Sequence, residues 1–506
     1  MSDLKSSNLS KRLKDIFWPI EGSEVKLFLP LGLMMLCMLF NFASLRSVKD
    51  SLVVPNIGAE VISFLKLWLV LPSTVIFTII YAKLSNKFDH ERVFYIIVSF
   101  FLFFLFLFAY VIFPNQCHYH PDESTISQLV EIYPNFKWFL KIFGKWSYAL
   151  MYVLCELWSV VIINLLFWQY VNSIFDSKSA KRFYPFLGAV GNIGLILAGN
   201  ILINSSDTSN VSDSVTLGLY ATDLTFQCNN VLKPVINWVI LAGLSAMALY
   251  CYIHRYVLRK TDLKEGFFRR EQTKKTSLSI KESIKLLSRS KYLGHIALLV
   301  LCYGLLINIL EGPWKSKVRE LYPNTVDYMN FMGQFNIWMG VSCVSFMIIG
   351  SNVLRRTSWL CSALITPYMI FFTGIIFFSF VIIANYFDFG VNWFNPIYYA
   401  VIIGALQNIL SKSTKYSLFD STKEMAYLPL SLELKTKGKA AVEVIGLKFG
   451  KSLGAFTQSF IFILMPMASF DSIATYLLVI FVLIISLWIW NVKKLNIEYQ
   501  KFKQPE

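Results

Sequence analysis

Three ionisable residues stand inside apolar stretches of this chain. They are Glu156 in Cys155-Glu156-Leu157-Trp158, Glu311 in Asn308-Ile309-Leu310-Glu311-Gly312-Pro313-Trp314, and Lys451 in Gly450-Lys451-Ser452-Leu453-Gly454. Lys66 is a fourth. A charge in a low-dielectric interior is costly and persists where it pairs with an opposite charge or lines a polar cavity. Lys451 and Glu156 read as cavity-lining groups. Glu311 either lines the same cavity or marks a helix end, and Lys66 is equally a structural or a functional cation. The chemistry these types offer is anion recognition and charge pairing. No Ser/His/Asp arrangement, His/Glu metal constellation or CxxC pair accompanies them, so no enzyme, cofactor or metal centre is expected. Gly450-Lys451-Ser452 has the look of a phosphate loop, but that motif needs Gly where Ile445 stands, and no strand precedes it.

A second group of cations surrounds these. Arg46 and Lys49 close the first apolar block; Lys315, Lys317 and Arg319 close the seventh. Each alone reads as a cation snorkelling to an interface. As a pair related by six blocks, they read as an anion-binding rim met by a polyanion entering between two halves.

The elements that hold these residues are membrane helices. Of 506 residues, 56% are hydrophobic and 15% charged, against about 25% charged in soluble domains. The apolar residues come in blocks of roughly 20, the length of a helix that crosses a bilayer core. A transmembrane β-barrel would show short alternating segments instead. The fold expected is an all-α integral membrane protein of about twelve helices in two six-helix halves, of the major-facilitator kind. The spans centre near 26–44, 61–81, 93–113, 148–170, 184–203, 235–257, 292–310, 330–350, 359–383, 393–411, 441–466 and 472–490.

Residues 1–25 form a polar, basic N-terminal segment with no apolar stretch and cleavage site after it, so no secretory signal is read. The halves are 26–258 and 292–492, joined by a polar linker, 259–291, rich in Arg269, Arg270, Lys274 and Lys275; a tail follows over 493–506. The net charge of +16 lies largely between the spans. The loops holding Lys83, Lys87 and Arg92, then Lys178, Lys181 and Arg182, the linker, Arg355 and Arg356, and Lys412 through Lys439 are basic. Those near 204–234, 384–392 and 467–471 are not. This asymmetry puts both termini in the cytoplasm and removes the need for a nucleic-acid partner. Cys117 and Cys228 fall in loops on the opposite side; a disulfide between them and two unpaired thiols both remain open. A repeat supports the two halves. Ser173-Ile174-Phe175-Asp176-Ser177 follows span 4 and Ser417-Leu418-Phe419-Asp420-Ser421 follows span 10, each succeeded by a Tyr, a Pro and a glycine-rich helix start.

Several runs resemble one family. They include Leu45-Arg46-Ser47-Val48-Lys49-Asp50, Phe64-Leu65-Lys66, Glu156-Leu157-Trp158, Phe167-Trp168-Gln169, Lys181-Arg182-Phe183-Tyr184 and Glu311-Gly312-Pro313-Trp314-Lys315 in the first part of the chain. Later come Gln407-Asn408-Ile409-Leu410-Ser411-Lys412, Lys415-Tyr416-Ser417-Leu418-Phe419-Asp420, Lys423-Glu424-Met425-Ala426-Tyr427 and Gly438-Lys439-Ala440-Ala441. Together they resemble the nucleotide transporters of rickettsiae, chlamydiae and plastids, most of all the rickettsial ATP/ADP translocases, over nearly the whole chain.

That resemblance implies two six-helix halves and a nucleotide-binding, ATP/ADP-exchanging transporter in which four charged positions matter most, here Lys49, Glu156, Glu311 and Lys451. Leu453 stands where the family often has Gly, which leaves a different base preference open. The family also holds members that exchange other nucleotides (GTP/GDP, CTP, UTP) or import them with protons. The expected partners are therefore nucleotides and the lipid bilayer, with no obligatory protein partner. In the expected mechanism Lys49, Arg46 and Lys451 supply phosphate contacts from opposite halves, and Lys315 belongs to the substrate-binding set. Glu156 and Glu311 hold ribose or base, or pair with the lysines in the empty site. Lysine outnumbers arginine and Ile and Phe are abundant, a composition that fits an AT-rich bacterial genome and hence a bacterial inner membrane. A carrier of other solutes and a non-transporting membrane scaffold are the competing readings, and the basic rims on both halves argue against neutral sugars.

Overall fold

A computed structural model describes residues 24–175, 177–207, 224–257, 290–386, 395–430, 438–439, 442 and 450–501. Twelve long helices organise them: α1 Val25–Asn56, α2 Val61–Lys87, α3 His90–Ile112, α4 Trp146–Asn172, α5 Ser177–Ser206, α6 Asn230–Val257, α7 Lys291–Leu321, α8 Thr325–Arg356, α9 Trp359–Tyr386, α10 Pro396–Thr414, α11 Gly450–Leu464 and α12 Ala474–Lys501. Ten of them are long and apolar enough to cross a membrane, and α10 and α11 stand in the places of the other two expected spans. The described residues contain no strand. In hydrocarbon a spanning backbone must satisfy its own polar groups, and the helix does so within one segment.

Local chemistry sets several starts. Asn324 accepts from Val326 N–H at 3.1 Å to open α8. Asn395 accepts from Ile397 and Tyr398 N–H, and Pro396 occupies the first turn of α10, where its missing N–H costs nothing. Ile76, Ile79, Phe103 and Leu483 are exposed and form part of the apolar outer wall.

The halves meet along α5 and α8. A Cβ on Gly199 would stand 2.5 Å from the Gly333 carbonyl oxygen, so only hydrogen at both positions lets these backbones approach so closely. Gly340 meets the Asn192 carbonyl in the same way one stretch further on. At the end where α1 leaves the bundle and α2 enters, Asn56 donates to Thr325 Oγ1 at 3.1 Å. There Phe470 N–H donates to Glu60, and Trp138 packs edge-on to Phe462. These contacts also join one half to the other.

Two expected boundaries move. Spans 1 and 7 were placed at 26–44 and 292–310, but α1 continues to Asn56 and α7 to Leu321. Arg46, Lys49, Lys315, Lys317 and Arg319 therefore lie within helices rather than at interfaces, and all but Arg46 and Arg319 are buried. The count of apolar residues stops at the first charges; the helices do not, because several of those cations pair with carboxylates inside the bundle. The second copy of the repeat lies in the continuation of α10, a π-helical turn over Lys415–Phe419 followed by Asp420–Ala426. There Asp420 accepts from Lys415 at 2.9 Å. Asp176 of the first copy lies outside the described residues, as does most of the linker. The last helix runs to Lys501, through most of the segment read as a tail.

Candidate functional site

The charged residues of α1, α2, α4 and α7 form one connected ionic centre between the halves. Lys49 lies 2.9 Å from Glu156 Oε1 and 2.8 Å from Asp50 Oδ1. The other Asp50 oxygen lies 2.8 Å from Lys315 Nζ, which reaches Glu311 at 3.2 Å. Glu311 then gathers Arg46 from α1 and Lys66 from α2, each at 2.9 Å. The chain of pairs thus runs from α4 through α1 to α7 and back to α1 and α2, crossing between the halves at Asp50–Lys315, Arg46–Glu311 and Lys66–Glu311. Lys66 also donates to Asn308 Oδ1 at 2.9 Å, and Gln458 of α11 donates to the Asn308 carbonyl at 2.9 Å.

The helices aim these groups by spacing and by local irregularity. Arg46 and Asp50 are four apart on α1, as are Glu311 and Lys315 on α7, so each helix presents both signs on one face. Lys66 sits in a π-helical turn, Leu65–Val70, and Glu156 lies just before a π-helical stretch, Ser159–Phe167. Such turns shift the register of the residues around them and recur at functional sites. Lys49 Nζ also lies 3.9 Å from the centre of the Tyr152 ring, and Tyr152 is fully buried one turn before Glu156.

Lys412 of α10 completes the set. It was expected in a cytoplasmic loop, because positive-inside counting assigns a lysine just past an apolar block to the loop. Instead α10 runs on through it, and its Nζ is enclosed within electrostatic reach of Arg46, Glu311 and Lys315. Among the described residues, five basic side chains (Arg46, Lys49, Lys66, Lys315, Lys412) thus face three carboxylates (Asp50, Glu156, Glu311). Burying so many charges is expensive, and pairing returns only part of that cost. An excess of basic over acidic side chains in a low-dielectric interior favours an anionic ligand. At 4 Å, a unit charge pair is worth about 1 kcal/mol in water and roughly 4 kcal/mol at the effective dielectric of a protein site.

Of the charged residues singled out from sequence, Arg46, Lys49, Lys66, Glu156, Glu311 and Lys315 meet here, whereas Lys317 pairs with Glu320 and Asp471. Glu311 does not merely end a helix; it is the hub on which Arg46, Lys66 and Lys315 converge. Lys451 begins α11, and its side chain lies outside the described residues. Its neighbour Gly454 packs on Asn308, the residue that holds Lys66. The centre also holds Asp50, Tyr152 and Asn308, none of them a sequence candidate. Asp50 was legible as the acidic member, four residues on, of the Arg46 motif; Tyr152 and Asn308 carry no such mark. Of the tryptophans, Trp158 and Trp314 are fully buried and Trp338 is exposed. Cys117 is exposed, and the side chain of Cys228 lies outside the described residues.

The chain is similar to known proteins. The profile of the TLC ATP/ADP transporter family matches residues 4–499. The chain is 61% identical to ADP,ATP carrier protein 3 of Rickettsia typhi, covering 97% of this chain and 98% of the relative. It is 46% identical to ADP,ATP carrier protein 1 of Rickettsia prowazekii, covering 99% and 98%. Among solved structures, a bacterial homologue of the iron transporter ferroportin, in its inward-facing state, superposes with a TM-score of 0.51 at 15% identity. It covers 96% of this chain and 100% of that one. This last likeness concerns the fold alone.

Proposed function

Since the chain belongs to the TLC ATP/ADP transporter family, we propose that it exchanges nucleoside triphosphates for nucleoside diphosphates, ATP and ADP foremost, across a bacterial inner membrane. Both termini face the cytoplasm in this reading. The observation that supports it most is the surplus of cations over carboxylates enclosed where the two halves meet. A nucleotide carrying about four negative charges does not cross hydrocarbon unaided, since even one charge is costly there.

In the structure Arg46, Lys66 and Lys315 pair with Glu311 and Asp50, and these pairs tie the halves together. An arriving di- or triphosphate competes with the carboxylates for the same cations. Lys49, Arg46 and Lys315, with Lys451 from α11, supply its phosphate contacts. Glu156 and Glu311, released from part of their pairing, face the ribose or base edge. With its charges matched by substrate, the bundle rocks between its two faces. Without substrate, the cross-half pairs must break uncompensated, which raises the barrier and favours exchange over net flow. Uptake of labelled nucleotide by the purified protein in proteoliposomes tests the reading: saturable uptake supports it, and failure to take up any nucleotide rejects it.

A further inference from the structure

Lys412 differs from the other four cations of the centre. Arg46, Lys49, Lys66 and Lys315 each have a carboxylate within 2.9 Å. Lys412 Nζ is enclosed, yet among the described residues it has neither a hydrogen-bond acceptor nor an ion-pair partner. Its surroundings hold it in place without neutralising it. The Phe335 ring lies 5.7 Å from Nζ, and Phe335 packs on Trp314 at 4.9 Å. Trp314 is itself fixed by donating to the Val401 carbonyl at 3.0 Å. Asn408, one turn earlier on α10, directs its side-chain amide N–H to the Gly404 carbonyl.

Two further polar groups near the centre share this condition. Among the described residues the hydroxyls of Tyr152 and Tyr328 are buried with no hydrogen-bond partner. Tyr152 stacks under Lys49, and Tyr328 lies within electrostatic reach of Asp50, Lys49, Glu311 and Arg46. An enclosed ammonium and two enclosed phenols, all able to donate and none satisfied, describe a site that lacks acceptors. A bare buried cation is costly. It is tolerable in a carrier whose working cycle brings the missing anion. The carboxylates are already engaged with the other four cations, so the missing acceptor is a group of the substrate.

We propose that Lys412 receives the terminal phosphate of a nucleoside triphosphate, and so distinguishes triphosphate from diphosphate at the centre described above. The assignment rests on the nucleotide reading and adds a residue-level cause of substrate choice to it. The four paired cations answer to the phosphates that both substrates share. Lys412, on α10 and outside the paired network, is the reserve that a longer phosphate chain reaches.

The test uses Lys412→Met, which keeps the length of the side chain and removes its charge, beside wild type in proteoliposomes and in detergent. Removing an unpaired buried charge relieves the empty carrier, so K412M without nucleotide melts at or above the wild-type temperature. Its KM for ATP rises at least tenfold, and its KM for ADP rises by a clearly smaller factor. Lys412→Arg, which restores the charge, returns the ATP-to-ADP ratio of KM to within about twofold of wild type. Three results would overturn the assignment: a lower melting temperature of empty K412M, which would make Lys412 a structural cation; KM values that do not move; or equal rises for ATP and ADP. If wild type itself moves no nucleotide, the nucleotide reading fails first and this assignment falls with it.

Discussion

Arg46 on α1 and Glu311 on α7 form a 2.9 Å ion pair that ties one half of the carrier to the other. Glu311 is also the point on which Lys66 and Lys315 converge. Neutralising it leaves three cations sharing one fewer carboxylate and raises the positive potential of the centre. Glu311→Gln is therefore expected to hold nucleotide at least as tightly as wild type but to release it slowly. Exchange turnover in proteoliposomes should fall tenfold or more, about 1.4 kcal/mol per factor of ten, while the nucleotide-induced rise in melting temperature persists. Wild-type turnover in E311Q would show that the pair plays no part in the cycle.

The close approach of α5 and α8 makes a separate claim about the fold. On Gly199 a Cβ meets the Gly333 carbonyl and Ile337 Cγ1 at 2.5 Å, and a backbone oxygen cannot swing aside. Gly199→Val should destabilise the protein by about 1–3 kcal/mol, as overpacking does, and lower its melting temperature by several degrees. Gly188→Ala is the control, since its Cβ would meet only Met347 Cε at 3.5 Å. Equal melting temperatures for the two variants would contradict the packing of the halves described here.

How far the sequence discloses this architecture depends on which physical signal is read. Hydropathy locates the helices because burial in lipid demands long apolar runs; ten meet the length and hydropathy of a membrane span, and α10 and α11 stand at the other two expected positions. It misplaces the ends of α1 and α7, because a charge inside a helix lowers local hydropathy whether it faces water or a counter-charge. The same ambiguity turns Lys412 into a loop residue and leaves Glu311 undecided. Arg46, Lys49 and Lys315 are legible as exceptions to the charge pattern, but their partners are not. Asp50 and Lys315 are 265 residues apart, and only the folding of α1 against α7 brings them to 2.8 Å.

The loop between α3 and α4 carries a pH-sensitive contact. His120 lies 2.7 Å from Ser147 Oγ and edge-on to Tyr148. Burial, with help from the nearby Lys145, pushes its pKa down from 6.5 to about 4. Between those values the unfolded chain binds a proton that the folded loop refuses. The stability that neutral His120 contributes is thus present above about pH 6.5 and is lost as pH falls towards 4. His120→Gln should flatten part of the decline in melting temperature over that window. Identical slopes for the variant and wild type would remove His120 as the source.

The central claim is that paired cations between the halves carry nucleotides by exchange. Its most direct test is uptake of labelled ATP, ADP, GTP, GDP, CTP and UTP into proteoliposomes, either preloaded with unlabelled nucleotide or empty, with Lys49→Ala in parallel. Lys49 is buried between Asp50 and Glu156, and its loss should lower uptake of every nucleotide at least tenfold. The account predicts saturable ATP and ADP uptake by wild type that requires internal nucleotide. Equal uptake into empty vesicles, driven by a pH gradient, would contradict exchange, and wild-type rates in K49A would contradict the ionic centre as the site.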